Sequence, residues 1–513
     1  CIFQSLKIPK LSKFSVKNSI LSFMMQKRID KIEEFCKNPI QAQENVFDFL
    51  ISKGENTAFG KGHQFSAITN YINFSKNIPI RTYEEFSVFI ERARKGEENV
   101  LWPGEINWFA KSSGTTNAQS KFIPVTQESL EDCHFKGGKD MLSLYGNNFP
   151  FSDMYNGKGL MLGGTIKDSE DGGYKDGDLS AILLDEFPFW VNYHRIPDID
   201  TALMSEWEEK LERIAQQAVH VNITNLTGVP SWMLILLKRV LTISGKKNIS
   251  EVWPNLELYM HGGVNFSPYK KQFETLIPSS KMNYLEGYNA SEGFIGIQDK
   301  NPSEGLLLML DYGIFYEFIP MEKYKKGLLE AIALQEVQEN IDYALVISTN
   351  GGLWRYLIGD VIRFTTLTPF RIKIIGRTKS FLNAFGEELI VENTDKAILA
   401  ACCICKASIK DYTVAPIFID DRSGGHQWFI EFSKEPENIS LFKQELDKNL
   451  KELNSDYAAK RTKNLILNSP EIVLIQNNEF YTWLKQNNRL GGQYKIPRLC
   501  NDRKIAEEIL ALL

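Results

Sequence analysis

Residues 108–126 read Trp-Phe-Ala-Lys-Ser-Ser-Gly-Thr-Thr-Asn-Ala-Gln-Ser-Lys-Phe-Ile-Pro-Val-Thr. A short apolar run leads into small hydroxyl residues around Gly114, and Lys121 follows them. Backbone amides and hydroxyls around a glycine form a concave site that binds an anionic phosphate group. The segment lacks the Gly-Lys-Ser/Thr ending of a P-loop, which argues against a kinase-like protein or a GTPase. An ordinary turn rich in Ser, Thr and Gly is an equal alternative for this segment alone.

A second segment combines an aromatic residue with an acidic one. Residues 288–293 read Tyr-Asn-Ala-Ser-Glu-Gly and follow the predicted strand Lys281–Leu285, which we expect to end at Gly287. An aromatic ring such as that of Tyr288 at the exit of a strand can stack on a flat base. The carboxylate of Glu292 can hold a divalent cation. A strand-end turn with an exposed glutamate is the alternative interpretation.

A third segment lies on the return strand of a predicted hairpin. Residues 355–360 read Arg-Tyr-Leu-Ile-Gly-Asp and follow Asn350-Gly-Gly, which is a strong turn signal between two apolar runs. An aspartate after glycine at a strand end can accept two hydrogen bonds from a ribose diol, as acidic residues do in dinucleotide folds. A structural ion pair between Arg355 and Asp360 on the same hairpin is an equal alternative.

Two glycine-containing segments lie further along the chain. Residues 376–388 begin Gly-Arg-Thr-Lys and follow the predicted strand Arg371–Ile375, which we expect to stop at Gly376. Residues 491–498 read Gly-Gly-Gln-Tyr-Lys-Ile-Pro-Arg, so that a turn presents Lys495 on a loop braced by Pro497. A solvated surface lysine is the alternative interpretation. We place the domain boundary at the first segment, with a large domain at 1–376, a hinge at 377–380 and a small domain at 381–513.

Hydrophobic periodicity predicts both helices and strands. The predicted helices include Gln26–Lys53, a segment capped by Thr82 and Glu85, Glu206–Val221 and Pro230–Val240. The middle of the chain is rich in predicted strands, and strand and helix alternate after residue 391. The pattern predicts a mixed α/β (α+β) fold, in which a large N-terminal domain of β-sheets and packed helices precedes a smaller C-terminal α/β domain.

Composition, net charge and cysteine content limit the class of protein to which the chain can belong. The 513 residues are 43% hydrophobic and 24% charged, as in ordinary globular proteins. The net charge of −5 gives no electrostatic footprint for nucleic acid, and no apolar run reaches the roughly 18 residues of a membrane span. Seven cysteines, three of them at Cys402, Cys403 and Cys405, fit neither a zinc motif nor a disulfide framework. We therefore expect no nucleic-acid or membrane partner, and reduced thiols indicate a cytoplasmic protein.

The fixed order of these five segments resembles that of the adenylate-forming superfamily, in which a small C-terminal domain moves over a large ATP-binding domain. Within it, the chain is similar to the auxin-responsive acyl-acid amido synthetases, and specifically to a bacterial-type member. Residues 108–116, residues 121–126 and the stretch Gly492–Arg498 carry the resemblance, which spans roughly Trp108 to Arg498. Residues 385–388, Phe-Gly-Glu-Glu, depart from the Asp-Lys-containing stretch that plant members usually carry after the hinge.

The resemblance implies a role for each matching residue. The phosphates of ATP would lie against Ser112, Ser113, Gly114, Thr115 and Thr116. Lys121 would neutralise charge nearby, Tyr288 after Gly287 would stack on adenine, and Ser291 would lie near the phosphates. Glu292 would help to hold Mg²⁺, Asp360 would bind the ribose hydroxyls, and Arg377 would approach the ribose or a phosphate. Lys379 occupies the hinge position, and Lys495 would be the catalytic residue of adenylation.

The implied reaction has two halves. A carboxylic acid and ATP give an acyl-adenylate and pyrophosphate, and an amino acid or other amine then displaces AMP to form an amide. Attack of a carboxylate on the α-phosphate needs cationic groups that cancel the growing charge, and Mg²⁺ and Lys495 suit that task. Rotation of the small domain would then remove Lys495 and admit the amine. We expect the protein to act as a monomer.

Two other functions remain open at this stage. An acyl- or aryl-CoA ligase would use the same adenylation step with another acceptor, and a non-catalytic nucleotide-binding protein would release no pyrophosphate. The acyl pocket is not assigned; residues 226–232 and 261–266 are candidates by position. We interpret His261, before a Gly-Gly pair, as a packed strand-end residue and not as a catalytic base.

Overall fold

A computed structural model describes residues 16–112, 121–168, 174–263, 266–300, 305–378, 381–382, 387, 389–418, 424–461, 467–476, 478–487, 489–490 and 495–513. The helices of these residues are α1 Val16–Lys37, α2 Pro39–Gly54, α3 Ala58–Gly62, α4 Tyr71–Asn77, α5 Tyr83–Arg94, α6 Gln127–Ser129, α7 Lys136–Asn148, α8 Leu179–Asp185, α9 Phe189–Tyr193, α10 Ile199–Leu203, α11 Trp207–Ala218, α12 Pro230–Ser244, α13 Ile249–Val252, α14 Ser267–Leu276, α15 Met321–Lys325, α16 Val391–Ile404, α17 Ile439–Leu453, α18 Ser455–Arg461, α19 Glu479–Gln486 and α20 Lys504–Leu510. A π-helical segment, Leu130–Phe135, joins α6 to α7.

The strands of the described residues are β1 Trp108–Ser112, β2 Lys121–Val125, β3 Lys158–Met161, β4 Ile166–Asp168, β5 Lys175–Gly177, β6 Arg195–Ile196, β7 Ile223–Thr227, β8 Leu258–Gly262, β9 Asn283–Ala290, β10 Gly293–Ile297, β11 Leu306–Leu308, β12 Ile314–Pro320, β13 Ile332–Ala333, β14 Asp342–Thr349, β15 Tyr356–Leu367, β16 Phe370–Arg377, β17 Phe381–Leu382, β18 Leu389–Ile390, β19 Ser408–Phe418, β20 Gly424–Lys434 and β21 Glu471–Ile475. They form two sheets in the large N-terminal part of the chain, and a pair and a small sheet after it.

The largest sheet has a parallel half and an antiparallel half. Its order is β13-β12-β14-β15-β16-β11-β10-β9-β8-β7-β3-β6. The run from β9 through β8, β7 and β3 to β6 is parallel, and the pairs from β9 to β13 are antiparallel. The carboxyl ends of parallel strands share one edge of a sheet, which is where open α/β sheets bind ligands. This edge holds the residues that follow β3, β7 and β8.

A second sheet carries residues 108–126, the segment that contains the hydroxyl-rich stretch. It has the order β2-β1-β5-β4, and β1 and β2 pair antiparallel so that Ser112 lies opposite Lys121. Trp108 at the start of β1 is buried, and its indole donates to Glu186 Oε1 at 2.9 Å. The strands thus fix both ends of the hydroxyl-rich segment, although residues 113–120 themselves lie outside the described part of the chain.

The small C-terminal sheet has helices on one face and the large domain against the other. Its order is β19-β20-β21. One face, with Val414, Trp428 and Ile430, shares an apolar cluster with helices α16 and α17. Ala415 and Phe429, on the opposite face, belong to a second cluster that also contains residues of α11, α12 and α14 from the large domain. An apolar interface therefore joins the two parts of the chain.

The observed elements confirm most of the predicted ones and correct three. Asn350-Gly-Gly connects β14 to β15 as predicted, and the backbone N–H of Thr82 donates to Glu85 Oε2 at 2.8 Å, as expected for a capping box. The helix predicted over Gln26–Lys53 is two helices, because Pro39 cannot continue α1 and instead begins α2. Strand β9 continues through Gly287 and β16 through Gly376, since Gly287 pairs with a residue of β10 and Gly376 with a residue of β15.

No helix of the described residues combines the length and the apolar composition needed to cross a bilayer.

Candidate active site

Three of the predicted site residues meet at one carboxylate. Asp360 on β15 lies directly opposite Arg377 on β16, and the guanidinium Nε donates to Asp360 Oδ1 at 2.8 Å. The hydroxyl of Tyr288 on β9 donates to Asp360 Oδ2. Burial, together with the neighbouring Asp360 charge, raises the pKa of Tyr288 well above its usual value, so this hydroxyl stays protonated. The alignment of β15 with β16 sets the ion pair, and the tyrosine reaches it from a strand on the far side of β11 and β10.

A second carboxylate lies beside this cluster. Glu292 and Ser291 form the turn between β9 and β10, and Ser291 is buried. Burial raises the pKa of Glu292, and the charge of Asp360 raises it further, whereas Lys121 and Arg377 lower it. The turn therefore brings two carboxylates and two cations within electrostatic reach of one another, in a region of low exposure. A site with this mixture of charges is suited to an ionic ligand.

Lys121 approaches the cluster from the second sheet. It begins β2, and its ammonium lies 5.4 Å from the centroid of the Tyr83 ring. The Tyr83 hydroxyl in turn accepts from the backbone N–H of Phe122 at 2.9 Å. These contacts hold the lysine near Glu292, at the end of the segment predicted to bind phosphate.

Lys495 reaches the same region from the C-terminal end of the chain. Its half-buried ammonium donates to the carbonyl oxygen of Gly263, which follows β8 at the carboxyl edge of the parallel strands. Burial lowers the pKa of Lys495 to about 8; the charge of Arg377 also lowers it, and Asp360 raises it. The loop lysine is therefore within electrostatic reach of the pair Asp360–Arg377, although more than a hundred residues separate them in sequence.

The chain around Lys495 is held by the small domain. Thr413 Oγ1 donates to the carbonyl oxygen of Pro497 at 2.6 Å, and the backbone N–H of Val414 donates to the carbonyl oxygen of Arg498 at 3.0 Å. Ile496 is buried in the apolar cluster that the two domains share. The predicted brace is thus present, and strand β19 supplies most of it.

The structure describes the remaining predicted site residues only in part. Ser112 ends β1, and the structure says nothing of its side chain; Ser113, Gly114, Thr115, Thr116 and Lys379 lie outside the described residues. Gly287 lies inside β9, where a Cβ atom would come within 3.1 Å of Met141 Sδ and 3.3 Å of the Phe294 ring. Packing against these two side chains explains the glycine, and its contact with a nucleotide stays a prediction.

The alternative ion pair on the hairpin does not form. Arg355 Nη2 lies 2.7 Å from Glu317 Oε1, and both side chains are buried. Its Nη1 donates to the carbonyl oxygens of Ser75 and Ile78. Arg355 therefore stabilises the large domain, and Asp360 is left to Tyr288 and Arg377.

The described residues of the candidate acyl-pocket segments, 226–232, 261–263 and 266, lie at the carboxyl edge of the parallel strands. His261 is buried, its ring is stacked 4.0 Å from that of Phe266, and burial lowers its pKa to about 3. This agrees with a packed histidine. Sequence reasoning missed Gly263 as the partner of Lys495; the signal available was the Gly-Gly pair at the end of a strand. Its φ of +78° favours glycine, and a Cβ atom there would lie 2.8 Å from the lysine Nζ.

Solved structures show which class of protein has this fold. The AtGH3.15 acyl acid amido synthetase in complex with 2,4-DB is 18% identical, with a TM-score of 0.80 over 98% of this chain and 97% of that one. A 2-hydroxyisobutyryl-CoA ligase in the postadenylation state, in complex with 2-HIB-AMP, is 11% identical, with a TM-score of 0.60 over 92% and 91%. The fold is that of the adenylate-forming ligases, as predicted.

Family comparisons identify the group within that class. The GH3 family N-terminal domain matches residues 28–282, the central domain residues 307–377 and the C-terminal domain residues 392–504. The chain belongs to the GH3 family. Similar proteins include the indole-3-acetic acid-amido synthetase GH3.4 of Arabidopsis thaliana, 22% identical over 92% of this chain and 91% of the relative. The jasmonoyl-L-amino acid synthetase JAR6 of Nicotiana attenuata is 22% identical over 93% of each. These findings confirm the predicted resemblance to the acyl-acid amido synthetases and the predicted enzyme class, an adenylate-forming amido synthetase. The similarity to a bacterial-type member stays a prediction.

Proposed function

We propose that this chain uses ATP to join a small carboxylic acid to an amino acid or another amine, through an acyl-adenylate. The observation that carries the proposal is the position of Lys495, whose ammonium reaches the carboxyl edge of the parallel strands beside Asp360 and Arg377. The names of the relatives support the two substrate classes, because they describe enzymes that link an acid to an amino acid.

The nucleotide is assigned to the cluster around Asp360. Each oxygen of this carboxylate accepts one hydrogen bond, from Tyr288 or from Arg377, and keeps a lone pair for a ribose hydroxyl. The ring of Tyr288, with Gly287 before it, is the proposed platform for adenine. The phosphates are assigned to Ser112–Thr116 with Lys121, and Ser291 is placed near them. The charge of Lys121 beside Glu292 supports this arrangement.

The residues present fit a magnesium ion bound together with phosphate. Glu292 is a half-buried carboxylate whose pKa is raised by burial and by Asp360, so a divalent cation beside it would favour its ionised form. No group of three metal-ligating side chains occurs among the residues that the structure covers. Magnesium is usually held by one or two carboxylates and by substrate phosphates, so Glu292 would hold it with the nucleotide. When bound, the ion would neutralise charge on the leaving pyrophosphate.

The residues of the chain account for the first half-reaction. An oxygen of the substrate carboxylate attacks the α-phosphorus, and the bond from that phosphorus to the pyrophosphate oxygen breaks. Negative charge grows on the leaving group, and the protonated ammonium of Lys495 stabilises it. The carbonyl of Gly263 holds this ammonium at the edge where the strands end.

The second half-reaction needs access to the acyl carbon. The amine nitrogen attacks that carbon, the bond to the AMP oxygen breaks, and the amine loses a proton. We assign residues 1–376 to the large domain, residues 377–380 to a hinge that includes Lys379, and residues 381–513 to the small domain. Rotation about the hinge would withdraw Lys495 and open a path for the amine. A monomer, a cytoplasmic location and the lack of nucleic-acid and membrane partners stay predictions.

A panel of carboxylic acids tests the proposed function. Each acid is incubated with the protein, ATP and magnesium, and pyrophosphate release is measured. Products formed with a mixture of amino acids, and in a parallel reaction with coenzyme A, are identified by mass spectrometry. We expect pyrophosphate with one class of acid and the corresponding amide as product. A thioester with coenzyme A in place of the amide, or no pyrophosphate with any acid, would contradict the proposal. The Lys495→Ala variant is the control for turnover by a contaminant.

A further inference from the structure

We propose that Tyr269 of the large domain and Arg498 of the small domain form a latch that positions Lys495 for adenylation, and that this latch is broken for the second half-reaction. The inference rests on the proposed function, since it needs two half-reactions and a small domain that moves between them. Tyr269 is a positioning residue here, because it acts through Arg498 on the lysine.

The contact crosses the boundary between the domains. Tyr269 lies on α14 and is buried in the apolar cluster that the two domains share. Its hydroxyl oxygen accepts a hydrogen bond from Arg498 Nη2 at 3.1 Å. A hydrogen bond from a charged donor is about twice as strong as one between neutral groups, so this hydroxyl is a specific polar contact within a largely apolar interface.

The small domain fixes the other side of Arg498. The Nη1 group donates to Asp411 Oδ1 and, at 3.0 Å, to the carbonyl oxygen of Tyr412. The guanidinium also lies 4.4 Å from the centroid of the Tyr412 ring. Arg498 is therefore oriented by β19 of its own domain. Its hydrogen bond to Tyr269 forms only when the small domain is docked against α14.

Only two residues separate Arg498 from Lys495. Both of them are held, because Ile496 is buried and the carbonyl oxygen of Pro497 accepts from Thr413. Three residues of extended chain span at most about 10 Å, so Lys495 stays within that distance of Arg498 along the chain. Because the intervening residues are held, a shift of Arg498 against α14 also moves the Lys495 ammonium away from Gly263. The latch thus couples the docking of the domain to the position of the catalytic ammonium.

A second polar contact on the same helix supports this function for α14. Gln272 Nε2 donates to the carbonyl oxygen of Ile409 on β19 at 2.8 Å. Residues three apart on a helix share a face, so Tyr269 and Gln272 present two hydrogen-bonding groups to the small domain, one to Arg498 and one to β19. Rotation of that domain would separate both pairs together.

The test removes one hydroxyl and has a matched control. Tyr269→Phe keeps the buried ring and deletes the partner of Arg498. Tyr284→Phe is the control: its buried hydroxyl has no hydrogen-bond partner among the described residues, and its ring packs 5.0 Å from that of Phe266 in the same cluster. Comparable thermal midpoints for both variants and the wild type establish that the fold is intact.

Two half-reactions are then measured separately. We expect Tyr269→Phe to slow acid-dependent pyrophosphate exchange about tenfold, as loss of one hydrogen bond to a charged group implies. Amide formation from supplied acyl-adenylate should change less than about twofold, because the latch is open in that step. Tyr284→Phe should alter neither rate. An equal loss in both half-reactions, or an unchanged exchange rate, would overturn the latch.

A third measurement needs no turnover. Reaction of Lys495 with an amine-specific reagent, read by mass spectrometry of the peptide, should be several-fold faster in Tyr269→Phe than in the wild type. The same labelling rate in both proteins would overturn the inference even if the protein has another activity. By contrast, a wild type that releases no pyrophosphate with any acid would defeat the proposed function and leave the labelling result to decide on the latch.

Discussion

The ammonium of Lys495 shows how one residue depends on surroundings supplied by three distant parts of the chain. It is desolvated by the contact of the two domains, repelled by Arg377 and attracted by Asp360. Its carbonyl partner, Gly263, belongs to a turn after β8. The resulting pKa of about 8 lies close to neutral pH, which is unusual for a lysine and common for a group in an active site.

This pKa predicts a pH dependence. The proposed adenylation step needs the charged ammonium, and the charge is lost as the pH rises through about 8. We therefore expect kcat/KM for acid-dependent pyrophosphate release to fall above that pH, since kcat/KM reports the free enzyme. Lys495→Arg keeps its charge to far higher pH, so the decline should move to higher pH in this variant. The same decline in both proteins would assign it to another group.

Removal of the charge predicts a difference between the half-reactions. Lys495→Ala should lower the rate of adenylate formation by about a hundredfold or more, the usual effect of losing a group that stabilises transition-state charge. Amide formation from supplied adenylate should be much less affected, because the proposed rotation withdraws the lysine before that step. Rapid-quench measurements of each step check this. An equal loss of rate in both half-reactions would show that Lys495 supports the folded structure and has no specific role in adenylation.

At the level of single elements, the strand pair β15–β16 determines much of the site. Its register places Asp360 opposite Arg377, so the ion pair follows from backbone pairing. Directly before β15 lies Arg355, whose φ of +45° is rare for a residue with a side chain. The buried ion pair of Arg355 with Glu317 on β12 fixes the start of β15, and with it the strand that carries Asp360.

This buried pair predicts a large effect on stability. Glu317→Gln leaves the arginine charge buried without its counter-charge, which typically costs about 3–5 kcal/mol of unfolding free energy. Denaturation by urea, followed by tryptophan fluorescence, measures the change. The control is Glu209→Gln on α11, which breaks an ion pair with Arg213 in which both side chains are about half exposed. We expect that control to change stability by less than about 1 kcal/mol. Similar midpoints for the two variants would contradict the prediction.

On the scale of the whole molecule, the two domains share one apolar cluster with polar contacts at its border. Residues of α19, such as Phe480 and Trp483, pack in the same cluster as Trp207 and Trp232 of the large domain. At the border, Lys485 Nζ lies 2.8 Å from Glu208 Oε1. The proposed rotation has to separate the apolar surfaces and this ion pair. These contacts therefore stabilise the docked arrangement of the two domains relative to the rotated one.

The border pair predicts a modest, salt-dependent effect. Both side chains are more than half exposed, 60% for Glu208 and 53% for Lys485, so the pair is screened by water and ions. Glu208→Lys should slow adenylation about two- to fivefold at low ionic strength, and the deficit should shrink in about 0.5 M salt. The double variant Glu208→Lys with Lys485→Glu should recover the rate. No recovery would show that the charges act independently.

Local sequence accounted for the fold class and for the residue types of the site. Local sequence predicted the Asn-Gly-Gly turn and the proline-initiated helix α12, because turns and helix starts depend on a few neighbouring residues. It also gave the order of the five segments, on which the resemblance to the family depends. The break at Pro39 was misread because the apolar periodicity continues across it. The continuation of β9 and β16 through glycine was also missed, because pairing with the neighbouring strands of the sheet decides where a strand ends, and a glycine alone does not.

The amino-acid sequence by itself determined which chemical groups are available: a hydroxyl-rich turn, a tyrosine and glutamate pair, an aspartate after glycine, and a lysine between glycine and proline. Only the tertiary structure decided that Tyr288 and Arg377 share Asp360, that Lys495 rests on Gly263, and that Arg498 reaches Tyr269. The physical reason is that, apart from the pair Asp360–Arg377 on adjacent strands, these contacts join strands, helices and loops far apart along the chain. Their distances depend on sheet order and on the packing of two domains, which no local pattern encodes.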